Sequence, residues 1–279
     1  MLREEAAIVG KSPDYYLFHE HLEAENRPCY FREFIDRAHE QKLGYLGEAS
    51  VADMAPQRFG EKVYGALQKL FGGNILATEQ YMDFFRNRSF RQTLLVHGAA
   101  IQNIKRNISP EGLKSFLLSC ALAPTRAVVP ESGDEVEFRD PSGRSVKVVV
   151  PLLKAMLLSF FQAYPRCLSY DQLEAGIRRQ LDGKIVLTDN DFLTLGDVLT
   201  RFMLDDVVRL HVGPVVAIDR ENSNPLAFLP ARHSAQKEAA LVTNMRHENI
   251  GLTQVDARVL SLLDGTRPVD RLVAELFHF

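Results

Sequence analysis

Two short runs concentrate the residues that could do chemistry. Tyr16-Leu17-Phe18-His19-Glu20-His21-Leu22 sets two imidazoles around a carboxylate, and Arg86, Arg88 and Arg91 gather three guanidinium groups in close succession. The first run raises the question of a metal site. His19 and His21 would share a face only in a strand; in a helix they point about 200° apart. Neither HExxH spacing nor a CxxC partner accompanies them, so hydrogen-bonded histidines that fix a loop are the favoured expectation. The arginines need anions. Glu20, Glu23 and Glu25 are the expected partners, with Asn26 and Asn87 completing an ion-pair and amide network that locks the first run onto the second. Planar guanidinium groups suit such bidentate pairing. A docking site for an acidic substrate or partner is the functional alternative, and the two roles are compatible.

Nucleophilic catalysis finds no support. There is no GxSxG elbow, and no cysteine stands beside a histidine in a catalytic signature. Cys29, Cys120 and Cys167 are far apart, which reads as reduced thiols of a cytoplasmic protein rather than a disulfide framework. Cys29, inside a mostly apolar run, is expected in the core.

The elements that must position these residues follow from periodicity. Phe31, Phe34, Ile35 and Ala38 mark one helical face, ending near Leu43-Gly44. A strand is expected over 45–49. Tyr64, Leu67, Leu70 and Phe71 mark a second helix stopped by Gly72-Gly73, and Thr78 could cap a third bearing Tyr81, Phe84 and Phe85. A buried strand is expected over 93–96, a helix start at Ser109-Pro110, and a last strand of this unit over 116–122. Val136 and Phe138, then Asp140 to Gly143, then Val146 and Val148 describe a hairpin. Beyond it, 151–163 is apolar on almost every face, Ser169 to Gln172 matches a capping box, and Phe192, Leu195, Leu199, Phe202 and Met203 give a third helix its inner face. Segments 207–210 and 215–218 look like a two-stranded wing. Asn222 to Pro230 reads as a linker, Thr253 caps a helix, and 269–276 forms one more.

The expected fold is therefore mixed α+β. It comprises a small α/β domain over 1–130, a hairpin plus winged-helix-like domain over 131–220, and a linker and helical tail over 221–279. The 279 residues carry a net charge of −3, which gives no overall field for nucleic acid or anionic membrane. No stretch is long and apolar enough to span a bilayer, and no signal-peptide pattern opens the chain. A DNA-binding transcription regulator is the alternative raised by the winged-helix pattern. Its third helix, however, bears Asp189, Asp191, Asp197, Asp205 and Asp206 against Arg201, a face that repels phosphate.

The two runs also carry a resemblance. The stretch from Tyr16 to Leu22, continued by Asn26, Pro28, Tyr30, Phe31 and Phe34, precedes Phe84-Phe85-Arg86-Asn87-Arg88-Ser89-Phe90-Arg91-Gln92-Thr93-Leu94-Leu95-Val96-His97. Together they resemble the predicted methyltransferase regulatory domain family over 14–97. Pro151 to Ala155 and Leu263 to Arg267 look like the C-terminal region that accompanies this domain in bacterial protein lysine methyltransferases. The resemblance implies the non-catalytic, regulatory or substrate-positioning part of an S-adenosylmethionine-dependent methyltransferase. The donor would then sit in a separate cofactor-binding domain, in cis or in trans. The acidic-x-Gly-x-Gly turn that such a domain places after its first strand is not found in this sequence. No catalytic, cofactor or metal residues are expected in this chain, and a protein substrate is the expected further partner. The candidate partner-binding or regulatory residues are His19, Glu20, His21, Asn26, Tyr30, Arg86, Asn87, Arg88 and Arg91.

Overall fold

The computed structural model describes residues 6–7, 9–12, 14–106, 109–215 and 222–277. The architecture is mixed α+β, and the chain divides into two compact units, Met1–Arg106 and Asn107–Phe279.

In the first unit, a turn at Asp14–Tyr16 runs into a π-helix, Leu17–His21. Helix α1, Phe31–Glu40, buries Phe31, Ile35 and Ala38 on one face, and the Glu33 carboxylate accepts from the Tyr30 N–H at its start. Strand β1, Leu43–Glu48, is followed by two 3₁₀ turns, then by α2, Glu61–Phe71, and α3, Ile75–Arg86. Asn74, not Thr78, caps α3: its side chain accepts from the Ala77 N–H, while the Thr78 hydroxyl, already helical, donates back to the Asn74 carbonyl. Asn87 closes the helix in the left-handed region at φ 50°, a conformation asparagine tolerates better than most residues. Strand β2, Thr93–His97, pairs antiparallel with β1 across a register shift between Tyr45 and Gly47. Contrary to the expectation of a buried strand, β2 is half-exposed, with Leu94 45% accessible. A two-stranded sheet leaves one side of each strand to solvent. The core is Phe31, Ile35 and Tyr45 packed with Met54, Ile75, Leu76 and Leu95.

The second unit begins earlier than the hairpin at which the sequence reading puts a boundary. Ser109 caps the short α4, Pro110–Leu113. Strand β3, Leu117–Ser119, is not the last strand of the first unit. It is the centre of a three-stranded antiparallel sheet, between β7, Leu168–Ser169, and β8, Arg209–His211. Both partners lie far along the chain, so local periodicity could not reveal them. The expected hairpin is present as β5, Val136–Arg139, and β6, Ser145–Val148, with β4, Ala123–Pro124, on its edge. Helix α5, Pro151–Ala163, is the central element, with Ala155, Met156, Leu157 and Phe160 at most 2% exposed. Helices α6, Tyr170–Leu181, with its Ser169/Gln172 capping box, and α7, Asp189–Leu204, pack on it. A Cβ at Gly176 would stand 2.8 Å from the Ser159 hydroxyl, so only glycine permits this approach of α6 to α5. Of the expected wing, the first strand is present as β8, which pairs with β3, and 216–218 of the second lie outside the described residues.

The tail is more than a linker and helices. Helix α8, Leu229–Gln236, leads into a hairpin of β9, Leu241–Thr243, and β10, Asn249–Gly251, then α9, Gln254–Leu262, and α10, Val269–Phe277. The 222–230 segment is stitched to the α9–α10 corner, with the Ala227 N–H donating to Leu263 and the Gly265 N–H to Pro225. Glu248, at the hairpin, pairs with Arg209 of β8 at 3.1 Å. Among the described residues no helix is long and apolar enough to cross a membrane.

Candidate functional site

The first unit brings the two motifs together around one open cleft of about 610 Å³. Cys29, Tyr30, Phe31 and Phe34 come from the start of α1; Gln80, Asp83 and Phe84 come from α3; Asn87 to Arg91 come from the loop before β2. Helix α3 supplies one side because its Asp83 and Phe84 fall in the turn before the Asn87 cap. Tyr30 stands edge-on to Phe84 with centroids 6.0 Å apart.

Behind the cleft lies a charged network, and Arg91 is its hub. Its guanidinium bonds Glu48 of β1, Glu79 at 3.0 Å and Asp83 at 2.9 Å, both of α3, while its plane lies 3.8 Å over the Phe31 ring. Arg88 pairs with Glu48 at 3.1 Å and Asp53 at 3.2 Å, and its Nε donates to the Phe90 carbonyl. Arg86 donates to the Asp53 carbonyl and lies over Phe59. The Glu48 side chain is wholly buried and also accepts from the Tyr45 and Thr93 hydroxyls. Desolvation disfavours a buried charge, and nearby opposite charges favour it. For Glu79, burial wins and pushes the carboxyl up to about 7 against the pull of Arg91. For Arg91, burial works against the charge, but the bond to Asp83 and the neighbouring carboxylates overcome it and hold the pKa above its ordinary value.

The expected arginine network therefore exists, with different partners. Glu20, Glu23 and Glu25 lie on an exposed segment, and the carboxylates on Arg86, Arg88 and Arg91 are Glu48, Asp53, Glu79 and Asp83. Solvated carboxylates gain little from pairing, whereas Glu48, Glu79 and Asp83, on packed elements, have lost most of their water and need a cation; Asp53 stays partly exposed. Of the other candidates, Tyr30 and Asn87 line the cleft, but His19, Glu20, His21 and Asn26 do not. The histidines lie exposed on the π-helix, His21 against the Tyr16 ring, and the Asn26 amide donates to the Glu20 carbonyl. Among the described residues no cluster of three or more His, Cys, Asp or Glu could hold a metal ion. Cys29 is exposed at the cleft rather than in the core. The i, i+4 spacing of Glu79 and Asp83, one turn apart on α3, was the available signal for the missed partners.

Comparison with known proteins finds two family models on the chain. Residues 13–97 match the family described as "Predicted methyltransferase regulatory domain". Residues 223–279 match the "PKMT, C-terminal winged helix domain", a segment that the sequence reading takes as linker and helical tail. Its β9 and β10 are only three residues each, too short for an alternating pattern to show. Among curated proteins, the uncharacterized protein RP789 of Rickettsia prowazekii is 28% identical over 274 residues, covering 95% of this chain and 48% of that protein. Among solved structures, PKMT2 of Rickettsia typhi in complex with AdoHcy superposes with a TM-score of 0.84 at 27% identity, covering 99% of this chain and 54% of that one. A second PKMT2 structure gives the same TM-score at 26% identity, covering 56% of that chain. The chain spans about half the length of the relatives it matches. It carries the regulatory domain of a PKMT-like methyltransferase and, at its other end, a PKMT C-terminal winged helix domain.

Proposed function

We propose that these residues form the non-catalytic, substrate-positioning part of an S-adenosylmethionine-dependent methyltransferase that acts on protein. The donor is held by a cofactor-binding domain supplied in cis or in trans. One observation carries this reading: both family motifs converge on a single aromatic-walled cleft whose back is fixed by a desolvated ion network. A rigid back with exposed rings in front is a surface built to hold a partner, and exposed aromatic side chains are enriched where proteins meet. The relatives are about twice as long, which leaves room elsewhere in them for a donor domain. Such domains commonly bind their cofactor at the carboxyl ends of parallel strands. Every strand pairing described here is antiparallel. The acidic run on α7 speaks against nucleic acid as the partner, and free thiols fit work in the cytoplasm.

Calorimetric titration of the chain with S-adenosylmethionine, and with its demethylated product, tests this reading. No binding in the micromolar range is expected. Micromolar binding of either compound would overturn the assignment.

A further inference from the structure

Arg246 and Glu248, on the turn between β9 and β10, tie the tail to the rest of the second unit. The β7–β3–β8 sheet meets them with a polar face. Alternation puts Ser119 of β3 on the same side as Arg209 and His211 of β8, and the His211 Nε2 lies 2.8 Å from the Ser119 hydroxyl oxygen. Glu248 bridges the two layers. Its carboxylate pairs with Arg209 at 3.1 Å and with Arg246 at 2.8 Å, and it accepts from the Asn244 amide at 2.8 Å. The Asn244 side chain in turn accepts from the Arg246 and Glu248 N–H groups, which fixes the turn. Arg246 reaches the Tyr164 hydroxyl at the end of α5 and lies over its ring.

His211 sits among these charges. Arg209 shares its strand, while Arg246 and Glu248 approach from the turn. Asp206, just before β8, stands 3.9 Å from Arg209. Cys167, just before β7, and Tyr164 lie beside Arg246, and His247 is exposed on the turn. Burial and the two guanidinium groups hold the His211 imidazole below its ordinary 6.5, with Glu248 pulling the other way. Against its own burial, the Asn244 amide and both arginines hold Glu248 below its ordinary 4.5. Burial raises the Cys167 thiol, which stays neutral in acid. As pH falls from 6.5 toward 4.5, therefore, His211 takes up a proton while Glu248 keeps its charge. The folded protein favours the neutral ring, so this contribution to stability is present above pH 6.5 and is lost as pH falls through the depressed value.

We propose that His211 is an acid-operated latch on the β9–β10 hairpin. Neutral, it leaves Glu248 to hold Arg209 and Arg246 together. Protonated, it sets a third cation against the shared carboxylate, and the hairpin separates from β8. Ion pairs as exposed as Arg209 with Glu248 hold only weakly, so one added charge is enough to tip them. A hairpin whose strands are three residues long is marginal once a neighbour is lost, and its amides therefore report the state of the latch.

The test is hydrogen exchange on the full 279-residue chain, read as protection factors corrected for the intrinsic pH dependence of exchange. Protection over 241–251 is expected to fall about fivefold between about pH 7.5 and about pH 5.5, while the β5–β6 hairpin keeps its own. His211→Gln, which can still bond Ser119 but takes no proton, is expected to abolish the fall, and His247→Gln to leave it in place. Glu248→Gln, which removes the bridging charge, is expected to show the low protection at both pH values. Glu79 lies in the first unit and acts with the opposite sign, so it cannot mimic this fall. Constant protection in the parent overturns the proposal; so does a fall that survives in His211→Gln or vanishes in His247→Gln, or full protection in Glu248→Gln. If His211→Gln fails to fold, nuclear magnetic resonance titration of the parent imidazole decides. A midpoint above 6.5, or one that the hairpin amides do not follow, overturns the latch equally.

Discussion

Replacing Arg91 by alanine is expected to destabilise the first unit by about 3–5 kcal/mol, the usual cost of stranding buried charge by removing one partner. Three carboxylates, Glu48, Glu79 and Asp83, lose their shared cation, and the Glu48 and Glu79 side chains are at most 2% exposed. They cannot recover hydration without opening the core around Phe31 and Tyr45. For a domain of this size the loss corresponds to a fall in melting temperature of roughly 15 °C or more. Lysine is not a conservative replacement, because a single ammonium cannot reproduce the planar fork that serves several carboxylates. Arg32→Ala is the control. Its pair with Asp36 is more than half exposed on both sides, and no measurable change is expected. Thermal unfolding followed by circular dichroism, with hydrogen exchange assigning the loss to residues of the first unit, checks both variants. A loss below about 1 kcal/mol for Arg91→Ala, well under the range above, would show that the network does not hold the motifs together.

Glu79 should make the stability of the same unit depend on pH near neutrality. Its folded-state value of about 7 lies above the ordinary 4.5, so the folded protein favours the protonated carboxyl. The stabilisation is complete below about pH 4.5 and is lost as pH rises through 7. The full swing is on the order of 3 kcal/mol. Glu79→Gln imitates the protonated form. It keeps an acceptor for Arg91 and removes the charge that burial penalises. The variant is therefore expected to be more stable than the parent at pH 8.5 and nearly equal at pH 5, with a flatter profile between. Denaturant unfolding at a series of pH values measures this directly. If the two profiles run parallel, Glu79 is not the titrating group.

What was legible in the sequence, and what was not, divides along a physical line. Elements fixed by their own local residues could be read directly. The apolar face of α1, the Gly72-Gly73 stop of α2, the Ser169/Gln172 and Thr253/Asp256 capping boxes, and the β5–β6 hairpin all appear where their residues place them. The presence of an arginine network was also legible, because three guanidinium groups so close together cannot be left without anions in a folded domain. Which anions they take was not. Glu20, Glu23 and Glu25 are near in the motif and remain in water, whereas Glu48 and Asp53 reach Arg88 only because β1 pairs with β2 and the following 3₁₀ turn folds back.

The same holds for β3, whose two partners are contributed by distant segments, and for the Asn74 cap, which prevailed over Thr78 by a shift of one helical turn. The amino-acid sequence by itself determined the resemblance to the regulatory-domain family over 14–97, the local elements and the demand for a buried ion network. The tertiary structure alone decided which carboxylates lose their water, and hence which residues are coupled. It also decided that rings from two separate motifs face one cleft. Desolvation and the meeting of distant side chains are properties of packing, and no run of neighbouring residues encodes them on its own.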